Sequence, residues 1–564
     1  MVSSTNSVST QGSRTFLSGG ASKIDTAALI DAAYKQRIAE ADKIDIRVQR
    51  NVSKQTSFNE LQTLSRNLQT SLTSLRKSYG AVTSETSRFA LKAGTLSTAA
   101  SGVDVNNLVS VSISNSAVAS DNTIRVTRLA KEQIVQGAAY ADPSVALGQT
   151  GGFSIGLSGG VTANISVTAG MSLNDLAATI NAQSGTTKVA ASVELIAPGQ
   201  SRLVLRGLET NKEIITAPIS GTDVLQSVGV KNASNAFVNV VQPFESAQVT
   251  VNNITYTRDS NKITDILPGV ELNLKNISTA DIRLQIGNDT SAVKDAILDF
   301  VENYNLLRDF VIEQSTVASD GTVSEDAVLY KDTILSSLNQ TIQSLMGRSY
   351  GLGGTNLSSL REMGLTLDKT NRLVADEVKL DDVISNKFDQ LRSVFETRFT
   401  STNSQFTILS NTSSVNAANI VFDITHDGTN VTGVSANGDN TLFDISGGSI
   451  TGKVGSIYEG LRFAYVGTTN ATLTFDMTQG FADLSANALD KFTNSVSGII
   501  KSQTEALDRE NTNFNARADR VRERAEDFRD RLIERYGRFE ALINRNETVL
   551  AQIRAILNVN RNNN

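Results

Sequence analysis

The chain has no cysteine, no tryptophan, one histidine and only 5 prolines in 564 residues. Without cysteine there is no disulfide framework, no thiol nucleophile and no thiolate metal site. A zinc site built on His426 alone would need carboxylates around it, and no spacing supplies them. His426 stands just before Asp427-Gly428 and reads as an exposed turn residue. Scarce proline leaves long helices uninterrupted. No apolar run has the length of a membrane span. The formal net charge is -6, whereas nucleic-acid binders are more often basic, which sets that class aside. The opening "MVSSTNSVSTQGSRTFLSGGASK" lacks the apolar centre of a secretory signal. Its composition predicts a disordered tail over 1–22.

What is present is 40% hydrophobic residues, enough for proper cores. The length exceeds one core and predicts about three or four domains. Ser22 is a candidate cap for a helix from Ile24 to about Tyr79. Its second half carries Phe58, Leu61, Ser65, Leu68, Leu72, Leu75 and Tyr79 at alternating three- and four-residue steps. From about Ser87 to Gly287 short β-branched runs alternate with Gly, Asn and Asp. Asn122–Ala130, Asn164–Gly170, Ser201–Gly207 and Ala247–Arg258 read as strands of one or two antiparallel domains. Asn252-Asn253 fits a tight hairpin turn, and Ser172–Gln183 reads as a short helix.

Helix is expected again after Asp289-Thr290, with Val293, Ile297, Phe300, Tyr304, Leu307 and Val311 on one stripe. Further helices are expected over Ala327–Met346 and Asp376–Phe399. Residues 401–479 return to a β texture, and Ser485 to about Asn558 reads as one terminal helix, roughly 110 Å long if unbroken. Its seam runs through Phe514, Ala518, Val521, Ala525, Phe528, Leu532, Arg535, Phe539, Leu542, Asn546, Val549, Ile553 and Ile556. Polar Arg535 and Asn546 on that seam are suited to fixing register. Glu505–Arg509, Asp527–Arg531 and Glu534–Arg538 are acid-before-base neighbours on the outer face. The fold class expected is a multidomain α+β chain. Both chain ends build a coiled-coil-like helical bundle, and antiparallel β-rich domains are inserted between them. The Phe58–Tyr79 and Val293–Val311 stripes can serve as core for each other, with Phe58, Leu61, Leu68, Leu75, Tyr304 and Leu307 inside. The longer terminal seam is as well suited to assembly as to internal packing.

Catalytic signatures are weak. Gly447–Val454 ("GGSITGKV") approaches a phosphate loop, but Val454 stands where Ser or Thr must follow the lysine. It reads as a β-turn, and "GLGG" at Gly351–Gly354 as a flexible loop. Acidic pairs such as Asp381-Asp382 and Glu325-Asp326 read as solvated. No catalytic residue, cofactor or metal is expected.

Several segments, in order, resemble the bacterial flagellar filament capping protein (FliD) family. They are "IDTAALIDAAYKQRIAEADKIDIRV", "IRVTRLAKEQIVQG", "SLNDLAATINAQSGTTKVAASV" and "SRLVLRGLETN", then "VTVNNITYTRDSNKITDILPGVELNL". "DAILDFVENYNLLRDFV" follows, with Tyr304 and Asn305 in place, and then "LREMGLTLDKTNRLVADEVKLDDVI" and "GFADLSANALDKF". Asn253 and Asn371 stand where the family commonly has a turn glycine, and 401–479 is additional to it. The resemblance implies a non-enzymatic cap. A tail (1–22) precedes an N-terminal helical leg segment (23–86) and β-rich plate domains (87–287). Then come the helical leg body (288–400), an inserted small β domain (401–479) and the C-terminal coiled-coil helix (480–564). It implies flagellin and the filament end as partners, a ring of identical subunits, and secretion through the flagellar export apparatus with an export chaperone. The location implied is the distal tip of the extracellular filament. Flagellin or a hook-filament junction protein is an alternative, as is a surface adhesin acting through its β domains.

Overall fold

The computed structural model describes residues 7–11, 14–18, 24–77, 79, 87–351 and 356–562. They divide into two compact units, Met1–Ser87 with Val293–Asn564, and Arg88–Ala292. Ten helices are found among them: α1 Thr26–Thr73, α2 Leu173–Ala182, α3 Ser184–Thr187, α4 Val224–Ser227, α5 Thr290–Ser315, α6 Thr333–Met346, α7 Glu377–Asn386, α8 Phe388–Phe395, α9 Phe481–Thr493 and α10 Ile499–Asn562.

The Arg88–Ala292 unit holds two separate apolar cores. One lies in a five-stranded antiparallel sheet covered by a three-stranded one. Its strand Ser120–Arg128 buries every second residue, Asn122, Ile124 and Val126, because a pleated strand turns alternate side chains to one face. Ala247–Val251 pairs with Ile254–Arg258 as a hairpin. Its turn residues Asn252 and Asn253 both take positive φ, 51° and 66°, the left-handed pair that a two-residue turn demands. The Asn252 side chain also accepts from the Thr123 amide at 2.9 Å, tying the turn to the next strand. The other core lies between a four-stranded and a three-stranded sheet with α2 packed on it. Ser172 caps α2, with Asp175 answering as a capping box. The Asp175 carboxyl is held below the usual range by the Ser172 amide and hydroxyl.

In the other unit α1 runs antiparallel to α9 and α10. The cap of α1 is Asp25, whose carboxylate accepts from the Ala28 amide at 2.9 Å; Ser22 lies outside the described residues. The helix ends at Thr73, so Tyr79 does not close its stripe but packs against the core of the inserted β domain. Part of the predicted tail also lies outside the described residues, and Ser7–Gln11 and Arg14–Ser18 pair as an antiparallel hairpin. α6 starts at Thr333 rather than near Ala327, because Asp332 caps it through the Ile334 and Leu335 amides. The helix expected over 376–399 is two helices, and its last residues are already strand. The terminal helix is broken between Thr493 and Ile499. Arg66 closes that break: its Nε and Nη2 donate to the Thr493 carbonyl at 3.2 and 3.1 Å. A cation on the final carbonyl of α9 satisfies a group that helix geometry leaves open.

The inserted β domain begins at Arg398 and ends at Thr478. It is two four-stranded antiparallel sheets. Phe406, Phe422, Phe443, Phe463 and Phe475 fill the space between them. Phe422 meets Phe475 at 4.9 Å and Phe406 stacks on Phe463 at 5.0 Å between centroids. Its two ends meet: the Gly480 amide donates to Thr397 Oγ1 at 3.2 Å, and a Cβ on Gly480 would lie 2.1 Å from the Phe395 carbonyl oxygen. The chain therefore leaves the helical body and re-enters it at one point.

Candidate assembly surface

The α1–α10 pair is set by side chains of opposite character at matched positions. Ala41 and Ile44 of α1 bury Ala518 and Val521 of α10, with Ile38 and Phe514 at the margin. Around this strip Asn51 donates to Glu510 at 3.1 Å, Arg517 pairs with Glu40 at 3.2 Å and Arg522 pairs with Asp45. Arg37 lies over the Phe528 ring at 3.9 Å and Arg529 over Tyr34 at 4.9 Å. These pairs are mostly exposed, so each adds little to stability beyond fixing register, about 0–1 kcal/mol. Of the expected outer-face pairs, Glu534–Arg538 forms, while Glu505 is engaged by Lys501 at 3.6 Å.

The register has a geometric consequence. With Tyr34 opposite Arg529 and equal rise on both helices, Thr26 falls opposite roughly residue 537. Beyond that point α10 continues to Asn562 with no α1 beside it, although the strand Arg14–Ser18 also contacts α10 and Glu540 is buried. Burial follows this division. Ala518, Val521 and Ala525 are buried, and Phe514, Phe528 and Leu532 are half-buried. Phe539, Leu542, Val549, Ile553 and Ile556 are exposed, as are Leu550 and Leu557 beside them. Ile553 is 45% and Ile556 63% accessible, against 0% for Ala518. Arg535 and Asn546 are exposed too. The seam is therefore one sequence pattern with two environments.

The other expected packing residues are separated between neighbours. Phe58, Leu61, Leu68 and Leu75 are buried, as are Tyr304 and Leu307. The helices lying along α1 are α9 and α10. On α5, Tyr304 donates its hydroxyl to the Asn371 carbonyl at 2.8 Å, and Asn305 exchanges hydrogen bonds with the Leu373 backbone. Phe300 on α5 meets Phe481 on α9 edge-on at 5.2 Å, so α9 links the two stripes. Burial pushes the Tyr304 phenol up, with Arg308 opposing.

Among the described residues no group of His, Asp and Glu could hold a metal ion, and no helix is long and apolar enough to cross a membrane. His426 is half-buried at a strand end, where Nδ1 accepts from the Gly428 amide at 2.9 Å. Gly447-Gly448 turns a hairpin between Phe443–Ser446 and Ser449–Gly452. Of Gly351–Gly354, residues 352–354 lie outside the described residues. What the sequence did not reveal is the buried pair of Arg76 with Asp483 at 3.0 Å. Asp483 reads from sequence as an ordinary first-turn acid of α9.

Residues 245–548 match the family model "Flagellar hook-associated protein 2 C-terminus". Residues 22–133 match its N-terminal counterpart, and 152–207 match a flagellin hook IN motif. The B-type flagellar hook-associated protein 2 of Pseudomonas aeruginosa is 28% identical over 365 residues, covering 61% of this chain and 76% of that protein. Flagellar hook-associated protein 2 of Escherichia coli (strain K12) is 27% identical over 334 residues, 56% of this chain and 70% of that one. The D1-D2-D3 structure of the Escherichia coli flagellar cap protein FliD aligns with a TM-score of 0.49 at 20% identity, over 80% of this chain and 99% of that one.

Proposed function

The chain belongs to the flagellar hook-associated protein 2 (FliD) family, and on that premise we propose that it caps the flagellar filament and guides incoming flagellin into place. The observation that carries this reading is the exposed apolar run of α10 past the end of α1. An amphipathic helix with seven large apolar side chains in water is a groove-seeking element. Phe539, Leu542, Val549, Ile553 and Ile556 are the anchors assigned to neighbouring helices at the filament end, with Asn546 setting register. Phe514, Val521, Phe528 and Leu532 serve within the subunit. The β-rich unit builds the plate of a ring of copies. The role is structural and not enzymatic. The chain travels through the flagellar export apparatus, handed over by an export chaperone, and works at the distal tip outside the cell.

Deleting 546–564 tests this. The expected strain exports a soluble protein with intact β domains, leaks flagellin monomers and grows short filaments or none. Full-length filaments would remove the assembly role. Global unfolding of the purified variant would assign the distal seam to the subunit's own core.

A further inference from the structure

The far part of α10 carries a second stripe beside the exposed seam. Ile533, Tyr536, Glu540 and Ile543 follow the seam one residue on, again at three- and four-residue steps, and the same spacing continues through Leu550 and Leu557. An offset of one residue turns this stripe about 100° from the seam. Its upper end is covered. Of residues 538–557, Glu540 alone is buried and Ile543 alone half-buried, while all the others are exposed. Glu540 keeps 3% of its surface. α1 stops short of this point, beginning at Thr26 opposite about residue 537. The described strand that contacts α10 is Arg14–Ser18, paired with Ser7–Gln11 as a hairpin. Residues 19–25 hold it within about 28 Å of the start of α1, which puts positions 540 and 543 in its reach. Arg14 is the one charged residue of 7–18, and its sign answers that of a buried acid.

We propose, on the capping role given above, that the hairpin is a detachable cover for this second stripe. It seals the upper end in the free subunit and leaves when the stripe takes an amphipathic helix at the filament end. The open part, from Glu547 to Leu557, is about 15 Å long, less than two heptads. With Ile533–Ile543 uncovered the stripe reaches about 36 Å, more than three heptads, which is the length a helical seam needs. A helix seated along Leu550 and Leu557 therefore meets the hairpin at Ile543. The hairpin is suited to giving way. Two five-residue strands make a sheet that is marginal by itself. Their sequence supplies only three large apolar residues, Val8, Phe16 and Leu17, and the stripe beneath carries an acid. Until the filament end is reached, the cover keeps the apolar face of α10 narrow, which limits self-association of the exported subunit.

Cover is read first in the free subunit. Ile543→Cys should alkylate slowly in the full chain and about tenfold faster after deletion of 1–18, the change expected for loss of a weak contact. Leu542→Cys, one position away and exposed, should label rapidly in both forms. Equal rates at 543 in the two forms would overturn the proposal. Release is read in the full chain, which has no cysteine and no tryptophan of its own. Bimane on Thr15→Cys, with Ala541→Trp as its contact quencher, should be dark in the free subunit and brighten when flagellin filaments are added. Bimane already bright in the free subunit rejects the cover. Bimane that stays dark while Ile553→Cys becomes protected rejects release and leaves the capping role standing. Ile553→Cys left unprotected by filaments removes the capping role and the proposal with it.

Discussion

α10 has one repeating pattern and two fates. From Ile499 to about residue 537 the stripe is met by α1 or by its own unit, and Ala518, Val521 and Ala525 are buried. From Phe539 to Leu557 the same spacing continues, and its apolar side chains are exposed, although Glu540 between them is buried. The buried strip uses small residues where two helices approach closely, while the exposed one carries Phe, Leu and Ile. Exposed apolar surface forgoes about 25 cal/mol for each Å² that burial would recover. On the proposed function, the proximal half serves folding and the distal half assembly.

Truncating buried residues of the helical body should have the largest effect on folding. Leu68→Ala on the buried stripe of α1 and Leu307→Ala on α5 should each cost about 2–5 kcal/mol in chemical denaturation, because both leave cavities among fixed neighbours. A cost near zero at Leu68 would mean that the α1 stripe is loosely packed. Arg66→Ala is expected to cost less, about 1.5–3 kcal/mol, through the lost charged hydrogen bonds to Thr493. Its destabilisation should be lost in Arg66→Lys only in part, because one ammonium cannot place two donors as the guanidinium does.

The sequence made the existence of these elements plain and left their limits open. The heptad steps marked Phe58–Leu75 and Phe514–Ile556 as stripes, and Asn252-Asn253 marked its hairpin. A periodic pattern cannot report how far a partner helix extends, so the division of α10 near residue 537 was not legible. It depends on where α1 begins, and Asp25, not Ser22, decides that. The break at 494–498 was masked because apolar residues resume in phase on both sides of it. The helix reading ran through Arg398 and Phe399, although the strand Arg398–Ser401 pairs with Phe475–Thr478. Asp483 was the hardest to read, since a first-turn acid is ordinary and its burial depends on the sandwich folding over it.

Smaller effects sharpen the comparison from the other side. Arg37→Ala removes a cation from the Phe528 ring near the end of the α1 overlap and should cost about 0.5–1 kcal/mol. Ile553→Ala should change folding stability by less than about 0.5 kcal/mol, as expected of an exposed position. The same substitution should still shorten filaments when introduced into cells. A stability loss of about 2–5 kcal/mol at Ile553 would place the distal half of α10 in the subunit's own core.

The absence of cysteine opens a direct measurement, because a single introduced thiol labels without background. Thiol alkylation would be followed for Ile553→Cys and Val521→Cys, in the free subunit and after addition of flagellin filaments. Ile553→Cys should label rapidly in the free subunit and become protected on filament ends, while Val521→Cys stays slow in both. Slow labelling at 553 in the free subunit, or labelling there that filaments leave unchanged, would contradict an assembly role for the distal half of α10.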